Sequence, residues 1–185
     1  DHIFIDSLAH YSLWDAAYAT NLPITPFQHL QVQSLVDHLG KDLLPGERPL
    51  VLSHEVFPIS GEIAPLPEYL EHIKARQGWV YLDDAHSVGV LGKNGRGTAE
   101  YYGLQDDCCS ASGTLAKALG GFGGILWGKA QWVETLARKS SICEGSSPPP
   151  LLVAAASAEA LSIARETPDL RSRLWENVTY ARKGL

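Results

Sequence analysis

The sequence predicts an α/β domain, a three-layer sandwich around a mostly parallel sheet. Short β-rich apolar runs alternate with longer stretches of helical periodicity, the rhythm of a sheet layered with helices. Each apolar run is short and bounded by Gly, Pro or polar residues, as strands are. One of them, Gly78-Trp79-Val80-Tyr81-Leu82, is apolar throughout, which fits a central strand buried on both faces.

In chain order, strands are expected over residues 3–6, 24–27, 49–53, 79–83, 108–112 and 124–127. Helices are expected over 13–18, 30–39, 66–77, 130–138, 151–165 and 169–185. The last three helices are consecutive, so the alternation stops near residue 128. Ser146-Ser147-Pro148-Pro149-Pro150 reads as a stiff turn into a helix, since proline fixes φ and cannot continue a preceding one. Asp169, after Pro168, is the expected N-cap of the terminal helix, with Leu170, Leu174, Trp175 and Val178 at helical spacing behind it. The expected division is a large domain over residues 1–165 and, over 166–185, a helix leading toward a further domain.

The 185 residues are 45% apolar, enough for one ordinary core. A net charge of −6 with no Lys/Arg stripe argues against nucleic acid as a partner. No apolar run reaches the roughly 18 to 20 residues of a membrane span, and Asp1-His2-Ile3-Phe4 lacks a signal-peptide layout. A cytoplasmic setting without membrane association is the expectation. Cys108, Cys109 and Cys143 show no C-x-x-C spacing and read as reduced, buried thiols. The absence of Met and the opening inside a strand predict a piece of a longer polypeptide.

Chemistry concentrates in two segments. The central strand delivers Asp83, Asp84 and His86 at its carboxyl end, the edge where open α/β sheets bind ligands. A carboxylate there suits a protonated pyridine nitrogen, and a histidine three residues on suits a ring substituent. The same residues also read as loop caps, and Asp-Asp-x-His as a set of metal ligands. The run from Ser87 to Gly97 needs backbone tolerant of positive φ and is expected as a shaped loop.

The second segment, Gly113-Thr114-Leu115-Ala116-Lys117-Ala118-Leu119-Gly120-Gly121, encloses a lysine between a strand end and a glycine cluster. Desolvation in such a setting lowers a lysine's pKa and makes its amine a nucleophile toward an aldehyde. Thr114 offers a hydroxyl to a phosphate. The glycines do not form G-x-G-x-x-G with a following ribose-binding acid, so a dinucleotide fingerprint is not supported.

Taken together, DDAHSVGVLGKNGRG at 83–97 and SGTLAKALGGFGG at 112–124 resemble the α-oxoamine synthase family of fold-type I pyridoxal-phosphate enzymes. Asp6-x-x-x-His10-x-Ser12, Val56-Phe57, Gly61-Glu62-Ile63-Ala64-Pro65-Leu66, Ser146-Ser147 and Pro149-Pro150 extend the likeness. Residues 169–175 are similar to the corresponding helix of glycine C-acetyltransferases. The resemblance implies pyridoxal 5'-phosphate as cofactor, Lys117 as the Schiff-base lysine and Asp83 as partner of the pyridine nitrogen. It implies that His86 contacts the ring hydroxyl, His10 stacks on the ring and Thr114 binds phosphate. Ser146 or Ser147 would reach the phosphate of a neighbouring subunit's cofactor, which implies a homodimer with shared sites.

The implied reaction condenses an amino acid with an acyl-CoA to an α-amino ketone, as 8-amino-7-oxononanoate synthases and glycine C-acetyltransferases do. Transamination at the same Lys and Asp is the first alternative, and a non-catalytic paralogue the second. In this family the phosphate-cupping glycine turn lies before residue 1 and the carboxylate-binding arginine after residue 185. Several positions depart from the family pattern. His54-Glu55 stands where a carboxylate and then Gly precede Val-Phe, and Pro58-Ile59-Ser60 where Ser-Met-Asp is usual. Ala9 replaces an asparagine, Glu144 an aromatic, and Leu30-Gln31 an Asn-Asp.

Overall fold

The computed structural model describes residues 1–104, 109–141, 144 and 146–184. Six strands form one sheet in the order β2-β1-β3-β4-β5-β6: β1 (His2–Asp6), β2 (Ile24–Phe27), β3 (Pro49–His54), β4 (Trp79–Asp83), β5 (Cys109–Thr114) and β6 (Gly124–Trp127). The first five are parallel, and β6 runs antiparallel to β5. The helices are α1 (Tyr11–Ala19), α2 (Val32–Lys41), α3 (Leu66–Lys74), α4 (Thr98–Tyr101), α5 (Ala130–Lys139), α6 (Leu151–Glu166) and α7 (Pro168–Gly184).

Strand alternation sorts the core into two layers. Phe4, Val51, Val80 and Leu82 pack on one face with Leu35 and Leu39 of α2 and Leu66, Tyr69, Leu70 and Ile73 of α3. Their neighbours Ile3, Ile5 and Leu52 point the other way, onto Leu13 and Ala17 of α1, with Tyr81 at the margin. Each fully buried aliphatic side chain contributes about 1.5–3 kcal/mol. Among the described residues α5 and α7 bury no side chain, and α6 buries Ser157. These last helices are instead tied by polar contacts. Ser157 Oγ accepts from the Phe122 N–H at 3.2 Å, Arg171 donates to the Lys93 carbonyl at 2.6 Å, and the Trp175 indole donates to the Val90 carbonyl at 3.2 Å.

Boundaries differ from expectation where a tertiary contact decides them. The second helix starts at Val32 rather than residue 30, because Leu30 sits at φ 56 with its N–H donated to Asp6. The third ends at Lys74 rather than 77: Gln77 turns at φ 54 and Gly78 follows in a space where a Cβ would lie 2.7 Å from Pro49. The first begins at Tyr11, capped by the His10 ring, which accepts from the Ser12 N–H. Strand β3 reaches His54 through its pairing with Asp83, and β5 reaches Thr114 through its pairing with Gly124. Asp169 is not an N-cap: Pro168 opens α7, placing the Asp169 carboxylate in the first turn, where it still meets the positive end of the helix. The short helix α4 was not expected. Cys109 is half-buried, and Cys108 and Cys143 lie outside the described residues.

Candidate functional site

The parallel strands bring Asp6, His54, Asp83 and Thr114 to one edge of the sheet, their carboxyl ends. After β4 the chain turns at once: the Ala85 N–H donates to the Asp83 carboxylate at 3.1 Å, and the Asp84 N–H to the Ser112 carbonyl at 2.7 Å. This turn sends the two carboxylates apart. Asp83 keeps a partly open side chain at the sheet edge, while Asp84 is buried.

Asp84 pins the loop that follows it. Its carboxylate accepts from the Ser87 hydroxyl and, at 3.4 Å, from the Thr98 N–H. Gly97, at φ 91, passes so close that a Cβ would collide with the Asp84 carboxylate. Gly89, Gly92 and Gly95 are also at positive φ, as the sequence required of this loop. Because Asp84 faces inward, Asp83, Asp84 and His86 do not converge on a metal position. Among the described residues no group of three or more His, Cys, Asp and Glu side chains is placed to hold a metal ion.

Lys117 reaches this edge from the segment after β5. Its Nζ lies 2.8 Å from His86 Nε2. Burial and then the Lys117 charge hold the His86 pKa below its ordinary value, so the neutral imidazole accepts from the ammonium. The desolvation expected around Lys117 is not found. Lys117 is exposed, because the glycine-rich segment on either side of it runs along the surface rather than folding over it. Its position rests on the His86 contact. Thr114 is half-buried, donates to the Gly123 carbonyl at 3.3 Å and accepts from the Ala116 N–H at 3.1 Å, shaping the turn into the lysine.

His10 stands exposed at the N-terminus of α1, on the same edge. Its backbone N–H donates to His54 Nε2 at 2.8 Å, and the two rings meet edge to face at 6.2 Å. The other His54 nitrogen, Nδ1, lies 3.7 Å from Asp83 and has no hydrogen-bond partner. His54 therefore stands between His10, to which it is hydrogen-bonded, and Asp83, a placement that local sequence did not disclose. Ser146 and Ser147 are exposed on the extended segment before α6, a different element from the strand ends that carry the other residues.

Two carboxyl residues quoted in the sequence, Asp6 and Glu55, have buried surroundings that it did not disclose. Asp6, fully buried, accepts from His29 and from the Leu8 and Leu30 N–H groups, each at 2.9 Å, and fixes the loop after β2. Glu55 is also fully buried, and no donor reaches either carboxylate oxygen. Burial, then the neighbouring Asp84, pushes its pKa well above the carboxylate range. Burial raises Asp84 too, against the hydrogen bonds it receives.

A cavity of about 370 Å³ lies between α1 and the sheet beneath Asp83, lined by Leu13, Ala17, Leu52, Tyr81 and Ser112 among others. A larger one, about 660 Å³, lies between the glycine loop and the α6–α7 region, lined by apolar side chains and by Lys93, Arg96, Arg165 and Arg171.

Comparison with known proteins gives this edge its context. The chain is 36% identical over 180 residues to an 8-amino-7-oxononanoate synthase of Coprothermobacter proteolyticus, a match covering 97% of the chain and 46% of that protein. It is 36% identical over all 185 residues to the 8-amino-7-oxononanoate synthase of Symbiobacterium thermophilum, covering 47% of it. The chain thus spans about half the length of the curated relatives it matches. A serine palmitoyltransferase from S. paucimobilis, solved with a bound PLP–myriocin aldimine, superposes with a TM-score of 0.88 at 29% identity, covering 96% of this chain and 46% of that one. The 8-amino-7-oxononanoate synthase of Francisella tularensis superposes with a TM-score of 0.81 at 27% identity, covering 97% and 51%. The family model for aminotransferase class I and II matches residues 1–185. The chain is therefore a member of the aminotransferase class I and II family.

Proposed function

We propose that this chain carries the pyridoxal-phosphate centre of an enzyme that condenses an amino acid with an acyl-CoA to an α-amino ketone. The observation that carries the reading is the meeting of Lys117 and His86 at 2.8 Å on the carboxyl edge that also bears Asp83. The residues fit the cofactor: an amine open to solvent, a partly open carboxylate and an exposed imidazole at a helix start share one edge. The buried Nδ1 of His54, without a partner beside Asp83, is the kind of polar atom a completed site employs. Bound there, pyridoxal phosphate supplies an electron sink for the carbanion formed at the amino acid's Cα.

Asp83 holds the positive charge of a pyridine nitrogen at its carboxylate. His10, at the start of α1, and His86, beside Lys117, would hold and orient the cofactor ring between them. Lys117, its amine open to solvent beside His86, would be the residue that holds the cofactor through its aldehyde. The same Nζ would serve as the base for the Cα proton, and its contact with His86 keeps it at this edge. Thr114 and, from a second subunit, Ser146 or Ser147 hold phosphate, which makes the working form a homodimer. The domain division follows the same reading, residues 1–165 forming the cofactor-binding part and 166–185 leading out of it.

The test uses protein expressed from its complete reading frame. Borohydride reduction in the presence of pyridoxal phosphate should fix the label on Lys117, and amino acid plus acyl-CoA should release free thiol. A label on another lysine refutes the site. Amino transfer to a keto acid without thiol release replaces condensation by transamination, and absence of any adduct leaves a scaffold without chemistry.

A further inference from the structure

We infer that His54 is a positioning residue of this site, tying the ring-stacking His10 to the nitrogen-binding Asp83 through opposite nitrogens of one buried imidazole; this rests on the functional reading above. The geometry assigns each nitrogen a different task. Nε2 accepts the His10 N–H at 2.8 Å, so it carries no proton. In the neutral ring the proton must then sit on Nδ1. That N–H is buried without a hydrogen bond of good geometry; the acceptors nearest it belong to Asp83, its backbone carbonyl and a carboxylate oxygen 3.7 Å away.

An unpaired buried donor beside a carboxylate is a costly arrangement unless the carboxylate is meant to close on it. Here the closure is short. His54 and Asp83 are register partners on adjacent strands, so their backbones are fixed, and a small side-chain rotation brings Asp83 within hydrogen-bond distance. One Asp83 oxygen, Oδ1, is already held by the Ala85 N–H. The hydrogen bond from His54 would hold Oδ2, leaving the remaining lone pairs at the open edge for a cationic ring nitrogen.

The ring itself is well anchored. His54 is 3% exposed, and Phe57 packs against it edge to face at 5.4 Å. Burial lowers its pKa, against the opposing pull of Asp83, so the neutral tautomer is the one that operates. The linkage also explains why the first turn of α1 is placed as it is. The His10 N–H is one of the donors that a helix start leaves without an intrahelical partner, and His54 supplies the acceptor from a strand 44 residues away.

Two substitutions separate the two ends. His54→Gln retains an acceptor where Nε2 was and loses the donor toward Asp83; His54→Asn retains the donor and loses the acceptor. The inference expects His54→Gln to bind pyridoxal phosphate about tenfold more weakly than His54→Asn, the size of one hydrogen bond to a charged group. It expects the amide of His10 to exchange with deuterium faster in His54→Asn alone. Equal affinities with unchanged exchange overturn it. The first measurement, however, needs neither cofactor nor variant: ¹⁵N NMR of the wild-type imidazole without cofactor should show protonated Nδ1 and bare Nε2 near neutral pH. An Nε2–H tautomer rejects the linkage even if both variants fail to fold. Wild-type protein that shows the Nδ1–H tautomer but binds no pyridoxal phosphate would refute the functional reading and leave the linkage standing.

Discussion

Replacing Glu55 by glutamine should stabilise the protein increasingly as pH rises. Glu55 is fully buried beside Asp84, with no donor on either oxygen, and its folded-state pKa lies well above the ordinary 4.5. Two acceptors facing each other need a proton between them, so the native state retains one on Glu55 where the unfolded chain has released it. Stability from this group is therefore complete below about pH 4.5 and is lost as pH climbs toward the folded value. Within that window the native state binds one proton more than the unfolded state, and wild-type stability falls by about 1.4 kcal/mol per pH unit.

Glu55→Gln removes the titration, keeps the shape and gives Asp84 an amide donor. The advantage of the variant over wild type should be small near the unfolded-state value and grow by about 1.4 kcal/mol for each pH unit until the wild-type carboxyl ionises. Asp84, raised by the same burial, contributes in the same direction, and the amide relieves it as well. Urea unfolding at about pH 5, 6 and 7, with midpoints and slopes fitted separately, measures the difference. A gap between the two proteins that does not change with pH refutes the shared-proton argument, whatever its size.

Gly97→Ala should cost about 2–4 kcal/mol, because the new Cβ meets the Asp84 carboxylate and the backbone, at φ 91 and ψ −161, lies where L residues are strained; denaturant unfolding of the variant checks it, and a cost under about 1 kcal/mol contradicts the packing. The imidazole of His86 should titrate below its ordinary 6.5, and Lys117→Ala should move it upward by removing the second-largest cause of its depression. NMR titration of the ring shows either that movement or, by its absence, that the two side chains do not meet in solution.

Much of the fold was readable because β-strands advertise themselves locally. Ile3, Phe4 and Ile5 before a polar Asp6, and Trp79 through Leu82 before Asp83, needed only their own apolar character to be placed. The glycine loop was legible for a similar reason, since its four positive-φ positions are all glycine. The burial expected of Lys117 failed because exposure is a tertiary property: an apolar neighbourhood in sequence did not become burial in space. The links from His10 to His54 and from Asp6 to His29 span 44 and 23 residues, and no local pattern encodes such contacts. Helix ends erred where a remote group intervened, as Asp6 does at Leu30.

The departures at residues 54 and 55 gain meaning from strand geometry. The family this chain resembles places a carboxylate and then glycine there; this chain places histidine and then glutamate. Position 54 is the register partner of Asp83, so a carboxylate at 54 would confront Asp83 with like charge, whereas His54 faces it with an imidazole nitrogen. Position 55 lies just past the strand, and its side chain is buried against Asp84 rather than beside Asp83. Moving the carboxyl by one residue thus carries it from the carboxyl edge of the sheet to the buried root of the glycine loop. The swap leaves Asp83, His86, Lys117 and His10 in place while changing what stands beside them: an imidazole next to Asp83, and next to Asp84, with the loop it pins, a buried carboxyl whose pKa burial and Asp84 push up. A double change, His54→Glu with Glu55→Gly, therefore alters both neighbours at once, and its effect on cofactor affinity should exceed that of Glu55→Gly alone, because only position 54 touches Asp83 and His10.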